Sequence, residues 1–514
     1  MSAQGVQRDS SSVAVGLGER LSPAGHFMHE VYSNPAAEVY RYHSSLTTIG
    51  LSGTYSQENE AVVMQQGRGN RYAAFDADSY IRRDRNTLWG GAGYRVGRTM
   101  HTEWNENADF ELLYPYVWAD SVGGNLLSER YTFSGGFARE FGRIAWGIYA
   151  DYRAEIEYRK RDPRPRNVVS DLNLATGATL SLGGRYSLGA SVHLRVYRQK
   201  SEMSFLAPLG GPKIYQMLGL GMYSTRFSTG KDGSSVNFSG RSYGAGVELF
   251  PRDRNGVFVS IQYFDWAVRR ILHDYQELPL TRLTERELDA ALGWQGQSGI
   301  HHWGIKLSGN YAKRLGTEYI YGDASGSQNY PKLGAVEQYR NNRTDLVLSA
   351  LWGFEEMRGW SFYAEPRGRY YDFEATYLSP SRKMQFGKVG CGGGLTVEKR
   401  LRRSVLHLSV SADYLANRTE ELKLDGLDMD GSIGQMMQRN FGHLSADMTL
   451  YGASFRWNYD FPRASMALYV QGHWQHGSFA DGNRSDYARI VFGVAFLYKS
   501  HNLTWKKISL SAAT

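Results

Sequence analysis

Residues 144–158 read IAWGIYADYRAEIEY and alternate without a break. One face carries Ile144, Trp146, Ile148, Ala150, Tyr152, Ala154, Ile156 and Tyr158. The other carries Ala145, Gly147, Tyr149, Asp151, Arg153, Glu155 and Glu157. Successive side chains of a β-strand point to opposite faces, so every charge in this stretch falls on one side. A soluble sandwich strand also alternates, but it typically runs about 5–6 residues. A strand crossing a bilayer needs about 9–11. The stretch is therefore read as a membrane-crossing strand with one face in lipid and one in a polar lumen.

The same pattern recurs along the chain. Tyr186, Leu188, Ala190, Val192, Leu194 and Val196 oppose Ser187, Gly189, Ser191, His193 and Arg195. Trp303, Ile305, Leu307, Gly309 and Tyr311 oppose Gly304, Lys306, Ser308 and Asn310. Leu406, Leu408, Val410, Ala412 and Tyr414 oppose His407, Ser409, Ser411 and Asp413. Aromatic residues fall at the ends of the apolar faces, where interfacial girdles sit. Tight polar turns at Asp84–Asn86, Gly183–Arg185, Arg252–Gly256, Gln297–Gly299, Arg402–Arg403 and Pro462–Arg463 alternate with longer connections at Arg159–Val168, Arg314–Asn341, Tyr377–Lys383 and Thr419–Asn440. Short turns on one side and long loops on the other are the asymmetry of bacterial barrels. The fold expected is all-β, a transmembrane antiparallel up-and-down barrel of roughly 18–20 strands. The count is ambiguous between residues 200 and 235, where the alternation of short and long connections breaks.

Composition agrees with this reading. The 514 residues include 58 Gly and 35 Tyr but only 13 Pro and one Cys. No apolar run reaches the length of a membrane-spanning helix. The lone Cys391 excludes an intramolecular disulfide and cysteine-pair zinc sites. The formal net charge of +8 is spread over the chain rather than gathered in a patch, which argues against a nucleic-acid surface. Three segments are expected: 1–43 as a periplasmic or lumenal N-terminal piece, 44–498 as the barrel, and 499–514 as a tail beyond the last convincing strand, Ala488–Phe496. Met1-Ser2-Ala3-Gln4 has the small-residue look of a secretory cleavage site.

Candidate chemistry is sparse. Gly240-Arg241-Ser242-Tyr243-Gly244 matches the nucleophile-elbow pattern, but it lies mid-strand with no following helix, and Ser242 should face inward. His301 and His302 are adjacent on a strand and so point apart. The Gly392–Gly394 run lacks a phosphate-loop lysine and is expected to permit a strand bend. No catalytic, cofactor or metal residue is expected, and the chain is not read as an enzyme. The lumen is the better candidate site. Asp151, Arg153, Glu155, His193, Arg195, Lys306, His407 and Asp413 should all project inward, either as ion pairs knitting the wall or as a mixed-charge channel lining.

The chain resembles an uncharacterised family of outer-membrane barrels of the Bacteroidota, often encoded beside TonB-dependent receptors. The resemblance runs from Tyr32-Ser33-Asn34-Pro35-Ala36 through Asp162-Pro163-Arg164-Pro165-Arg166-Asn167 and Lys313-Arg314-Leu315-Gly316-Thr317-Glu318 to the final strand. It implies a porin-like barrel in the bacterial outer membrane, bathed in lipid and lipopolysaccharide, with a TonB-dependent receptor or an associated lipoprotein as partner. It brings no known functional residues. Asn34-Pro35-Ala36 also resembles the hatch motif of fatty-acid-transporter-like barrels. The expected function is a channel or uptake accessory for a solute. The alternatives are a hatch-gated barrel for hydrophobic solutes, with Asn34, Pro35 and Ala36 in the hatch, and a non-transporting structural or assembly partner.

Overall fold

The computed structural model describes residues 13–207, 211–224, 226–227, 234–324, 330–356, 359–461, 464–478 and 484–498. Among them, eighteen strands form one closed antiparallel sheet. In chain order they are β1 (Leu46–Glu58), β2 (Gly69–Arg83), β3 (Asn86–Thr102), β4 (Gly124–Phe141), β5 (Ile144–Tyr158), β6 (Arg164–Leu182), β7 (Tyr186–Ser204), β8 (Ser234–Pro251) and β9 (Gly256–Leu272). The second half holds β10 (Leu278–Ser298), β11 (His301–Tyr321), β12 (Lys332–Phe354), β13 (Trp360–Tyr377), β14 (Arg382–Arg400), β15 (Ser404–Leu424), β16 (Asp447–Asp460), β17 (Ser465–Ser478) and β18 (Arg484–Tyr498). Each strand pairs with the next, and β1 closes the ring on β18, with Thr47 opposite Tyr498 and Glu58 opposite Tyr487. Closure leaves no unpaired sheet edge, which a lipid environment demands.

The alternation selects the wall. Leu51, Phe133, Val192 and Phe492 point outward and are each more than half exposed. They belong to a continuous apolar belt, which only a bilayer can solvate over such an area. On β11, Ile305 and Leu307 lie between the outward rings of Trp303 and Tyr311, a span of about 20 Å along the membrane normal at the usual strand tilt. Trp294 and Trp352 extend the lower girdle; Tyr263 and Tyr370 extend the upper.

The connections differ from the sequence reading in three places. The loop expected at Arg314–Asn341 is mostly strand: β11 continues to Tyr321 and β12 begins at Lys332. Similarly β6 begins at Arg164 and β15 runs on to Leu424. These strands stand above the upper girdle, where the outward face meets water and the inward residues Tyr321, Tyr339 and Tyr377 are buried under the cap, so the apolar-out, polar-in alternation of the membrane span lapses. The ambiguous region resolves as β7 ending at Ser204 and β8 starting at Ser234. Part of the connection between them folds into the barrel mouth, where Tyr215–Gly219 pairs with Met222–Ser224 and with Trp118–Ala119 as a small three-stranded sheet. β14 pairs with both neighbours without a break in register through the Gly392–Gly394 run. A Cβ at Gly392 would lie 2.2 Å from Asp413 Oδ1, so the missing side chain makes room for that carboxylate. The Pro462–Arg463 turn, the Met1–Gln4 start and the 499–514 tail lie outside the described residues.

Candidate functional site, a lumen closed at both ends

The N-terminal segment enters the barrel at the short-turn end. After a helix at Val13–Leu21, the chain crosses the lumen as one-turn pieces at Pro23–His26, His29–Ser33 and Pro35–Tyr40. Asn34 is fully buried. Its side-chain Oδ1 accepts from the Ala36 amide at 2.9 Å, capping the last piece. Its amide nitrogen donates to Glu248 Oε2 at 2.9 Å and to the Ala178 carbonyl at 3.4 Å. The wall opposite carries three inward glycines on adjacent strands. A Cβ would come within 2.5 Å of the Pro35 carbonyl carbon at Gly147, 2.2 Å of Asn34 Oδ1 at Gly177, and 2.8 Å of Asn34 Nδ2 at Gly189. The Asn34-Pro35-Ala36 backbone therefore lies against bare wall.

Other anchors come from wall side chains. Lys306 donates to the Phe27 carbonyl at 2.9 Å and to Glu30 Oε1 at 2.7 Å. Gln295 donates to the Ala24 carbonyl at 2.8 Å, and Tyr80 to the Glu38 carbonyl at 2.6 Å. An apolar cluster joins Phe27, Met28 and Val31 to Phe250, Phe258 and Leu351. Glu38 is buried beside Arg41, 2.8 Å away. Burial pushes its carboxyl above the ordinary range, and the Arg41 charge offsets this only in part.

The opposite mouth is closed by connections that turn inward. Residues 103–123, between β3 and β4, bury Trp104, Tyr116, Val117 and Trp118. Their anchor is Arg159, whose side chain is 1% exposed. It donates at 2.6 Å to both Glu106 and Asp120, themselves inaccessible to solvent. Farther in, Arg153 grips Asp109 through two hydrogen bonds of 2.9 and 2.7 Å, and the Tyr197 hydroxyl donates to the same carboxylate at 2.8 Å. Burial would raise the Asp109 carboxyl, but the Arg153 hydrogen bonds and charge hold it below the ordinary range. Arg314 donates to the Glu111 and Tyr114 carbonyls at 2.8 Å. The helix Ser432–Ser445, between β15 and β16, completes the cap by burying Ile433, Met436 and Met437.

Between hatch and cap lies the chamber. Arg153, Glu155 and Arg195 are brought together in one network with Arg130 and Asp171: Arg130 and Arg153 reach Glu155 at 2.8 and 2.9 Å, and Arg195 reaches both oxygens of Asp171 at 2.8 Å. Arg130, Arg153, Asp171 and Arg195 line a cavity of about 700 Å³ under the cap. A neighbouring cavity of about 390 Å³ is lined by Asp151 and His193, by Ser33 of the hatch and by Leu112 of the cap. There Asn173 donates to Asp151 at 3.1 Å, and His193 meets the Phe264 ring edge-on. The remaining candidates stand apart. Lys306 contacts the N-terminal segment, His407 lies 3.8 Å from Glu398, and Asp413 accepts from Arg367 at 2.5 Å over Gly392 of the intervening strand. Ser242 also lines the second cavity, with no hydrogen bond to a histidine among the described residues. Among the described residues no group of metal-ligating side chains forms.

Glu248, the glycine cradle, Arg159, Glu106 and Asp120 escaped the sequence reading. One available signal was the apolar run Phe110, Leu112, Leu113, Tyr114, Tyr116, Val117 and Trp118, too hydrophobic for a loop in water.

The ferric preacinetobactin receptor BauA of Acinetobacter baumannii superposes with a TM-score of 0.41 at 9% identity, covering 88% of this chain and 80% of that one. The monoaromatic hydrocarbon channel CymD gives 0.33 at 11% identity over 94% of each chain. The ferric citrate transporter FecA gives 0.36 at 11% identity, covering 88% and 78%. No curated protein matches the sequence. A family model does match, over residues 35–497, and the chain belongs to that family, DUF6850, a family of unknown function.

Proposed function

We propose that this protein is a gated passage for small solutes across a bacterial outer membrane, with lipid and lipopolysaccharide as its surroundings and no enzymatic role. One observation carries the reading. Both closures pack apolar clusters on the wall and add hydrogen bonds and ion pairs to it, yet between them the lumen keeps a polar chamber lined by arginines and carboxylates. A plug built only for rigidity would fill that space with apolar side chains, because buried ion pairs are poor net stabilisers. Polar anchors can instead be exchanged for water or for a polar solute when the segment moves. On this reading the ion pairs of Arg153, Arg159 and Lys306 with Asp109, Glu106, Asp120 and Glu30 position the closures, the strand-to-strand pairs knit the wall, and the passage has no strong preference among small inorganic ions.

The test is single-channel recording in planar bilayers. The intact chain is expected to be closed with rare openings. A chain lacking residues 1–41 and carrying Arg159→Met in the cap is expected to conduct steadily. Silence of the doubly released chain, with the barrel folded, would overturn the reading in favour of a structural or assembly role.

A further inference from the structure

We infer that the solute is an amphipathic organic anion, an aromatic or aliphatic body bearing a carboxylate; this rests on the lumen being a passage. Two cavities meet under the cap. One is the chamber of about 700 Å³ lined by the arginine network. The other, about 240 Å³, is walled by Trp104, Phe110, Tyr339, Phe373, Met384 and Met436. Such a pocket suits the apolar part of a small molecule, and methionines adapt to bodies of differing shape. The two cavities share Arg314 and Arg343 in their walls.

Those two arginines differ. Arg314 is committed to Glu285 at 2.5 Å and to two carbonyls of the cap. The cations deeper in the chamber are committed too: Arg130, Arg153 and Arg195 all pair with Glu155, Asp109 or Asp171. Arg343 stands inward between Ala312 and Phe373 in the strand register. It makes no ion pair and no hydrogen bond among the described residues. A guanidinium at the seam of an apolar and a polar cavity, with its donors unspent, matches a planar carboxylate bidentately. The acidic groups of the chamber do not compete for that position. Glu111 accepts from Gln66 at 2.6 Å, Glu157 lies buried in the strand that carries Arg153 and Glu155, and Glu287, the carboxylate two strands away whose charge reaches Arg343, makes no ion pair with it and accepts from Asn310 at 2.5 Å.

Calorimetric titration of the full-length protein in detergent tests this with three probes: 3-phenylpropionate, its neutral amide, and propionate. The phenyl carboxylate is expected to bind saturably, and the amide and propionate about tenfold more weakly or worse, the loss of one charge-assisted hydrogen-bonded contact or of the buried ring. Arg343→Gln should bring the carboxylate to the affinity of the amide, and Arg343→Lys should restore part of the difference. Heat-modifiable migration in SDS gels confirms that each variant holds a folded barrel. Equal binding of amide and carboxylate, or no change in Arg343→Gln, would overturn the anionic head. Equal binding of propionate would overturn the apolar body. Absence of binding by all three overturns the substrate class and leaves the gated passage to the conductance test; binding with a silent, doubly released barrel would do the reverse.

Discussion

At the residue scale the hatch turns on atoms that are missing as much as on those present. Asn34 fits because Gly177 has no Cβ to occupy its carbonyl oxygen's place, 2.2 Å away. Gly177→Ala is expected to dislodge the hatch at a cost of about 1–3 kcal/mol, the usual penalty of overpacking, while β6 keeps its pairing. Accessibility of Ala36→Cys to a thiol reagent, in a Cys391→Ser background, checks this; unchanged protection would show that the wall yields instead. Glu38 adds a pH dependence. Its carboxyl is raised by burial when the hatch is docked, so the docked state binds the proton more tightly than the released one. Docking is therefore strengthened as pH falls through the raised value and weakened as pH rises above it. Arg41 and Arg20 face the same carboxylate and oppose the shift. Glu38→Gln is expected to dock more firmly at neutral pH and to lose the dependence, measured as hydrogen exchange in residues 20–42 corrected for intrinsic rates. The sequence singled out Asn34-Pro35-Ala36 only through its likeness to a hatch motif; the structure places it in a capped turn within the lumen. Its partners were not legible, since Gly147, Gly177, Gly189 and Glu248 read locally as ordinary strand positions and meet only when four strands are in register.

At the scale of elements, what the sequence revealed follows from what each element touches. Between the girdles one face meets lipid and the other water, so β5, β7, β11 and β15 carry the period-two signature in full. Above the upper girdle that constraint lapses, and residues 314–321 and 332–341 passed for a loop although they are paired. The inward turn of residues 103–123 was hidden for another reason. Its anchor joins Arg159 to Glu106 and Asp120 across 53 and 39 positions of chain, and no local pattern marks such a triad. Its energetic weight is testable. Arg159→Met leaves two carboxylates buried without their cation, and breaking such an arrangement costs about 3–5 kcal/mol. The segment 103–123 is expected to leave its site and become open to proteolysis, while the barrel keeps its resistance to SDS. A cap as protected as in the parent chain would mean that the apolar cluster around Trp118 holds it unaided.

At the scale of the whole molecule, the wall and the closures make separate demands. The wall answers to lipid. Leu307→Arg, on the outward face within the belt, should destabilise the folded barrel by roughly 2–4 kcal/mol in a bilayer, whereas Arg at the inward neighbour Ser308 should cost far less; equal costs would contradict the assigned faces. The closures answer to each other through the chamber they share. Ser33 of the hatch and Leu112 of the cap line the same cavity, but their polar anchors lie on different side chains: Glu248, Lys306 and Gln295 for one, Arg159, Arg153 and Arg314 for the other. Solute must pass both, so conduction requires both to be open at once. If the anchors act independently, the free energies of opening add, within about 0.5 kcal/mol for sites without shared partners. The open probability of the hatch-deleted, Arg159→Met chain should then be the product of the two single-variant increases, to within about twofold. A double variant no more open than the hatch deletion alone would show that the cap never barred the passage. One exceeding the product would show that hatch and cap brace each other across the chamber, and that opening either is already a step toward opening the other.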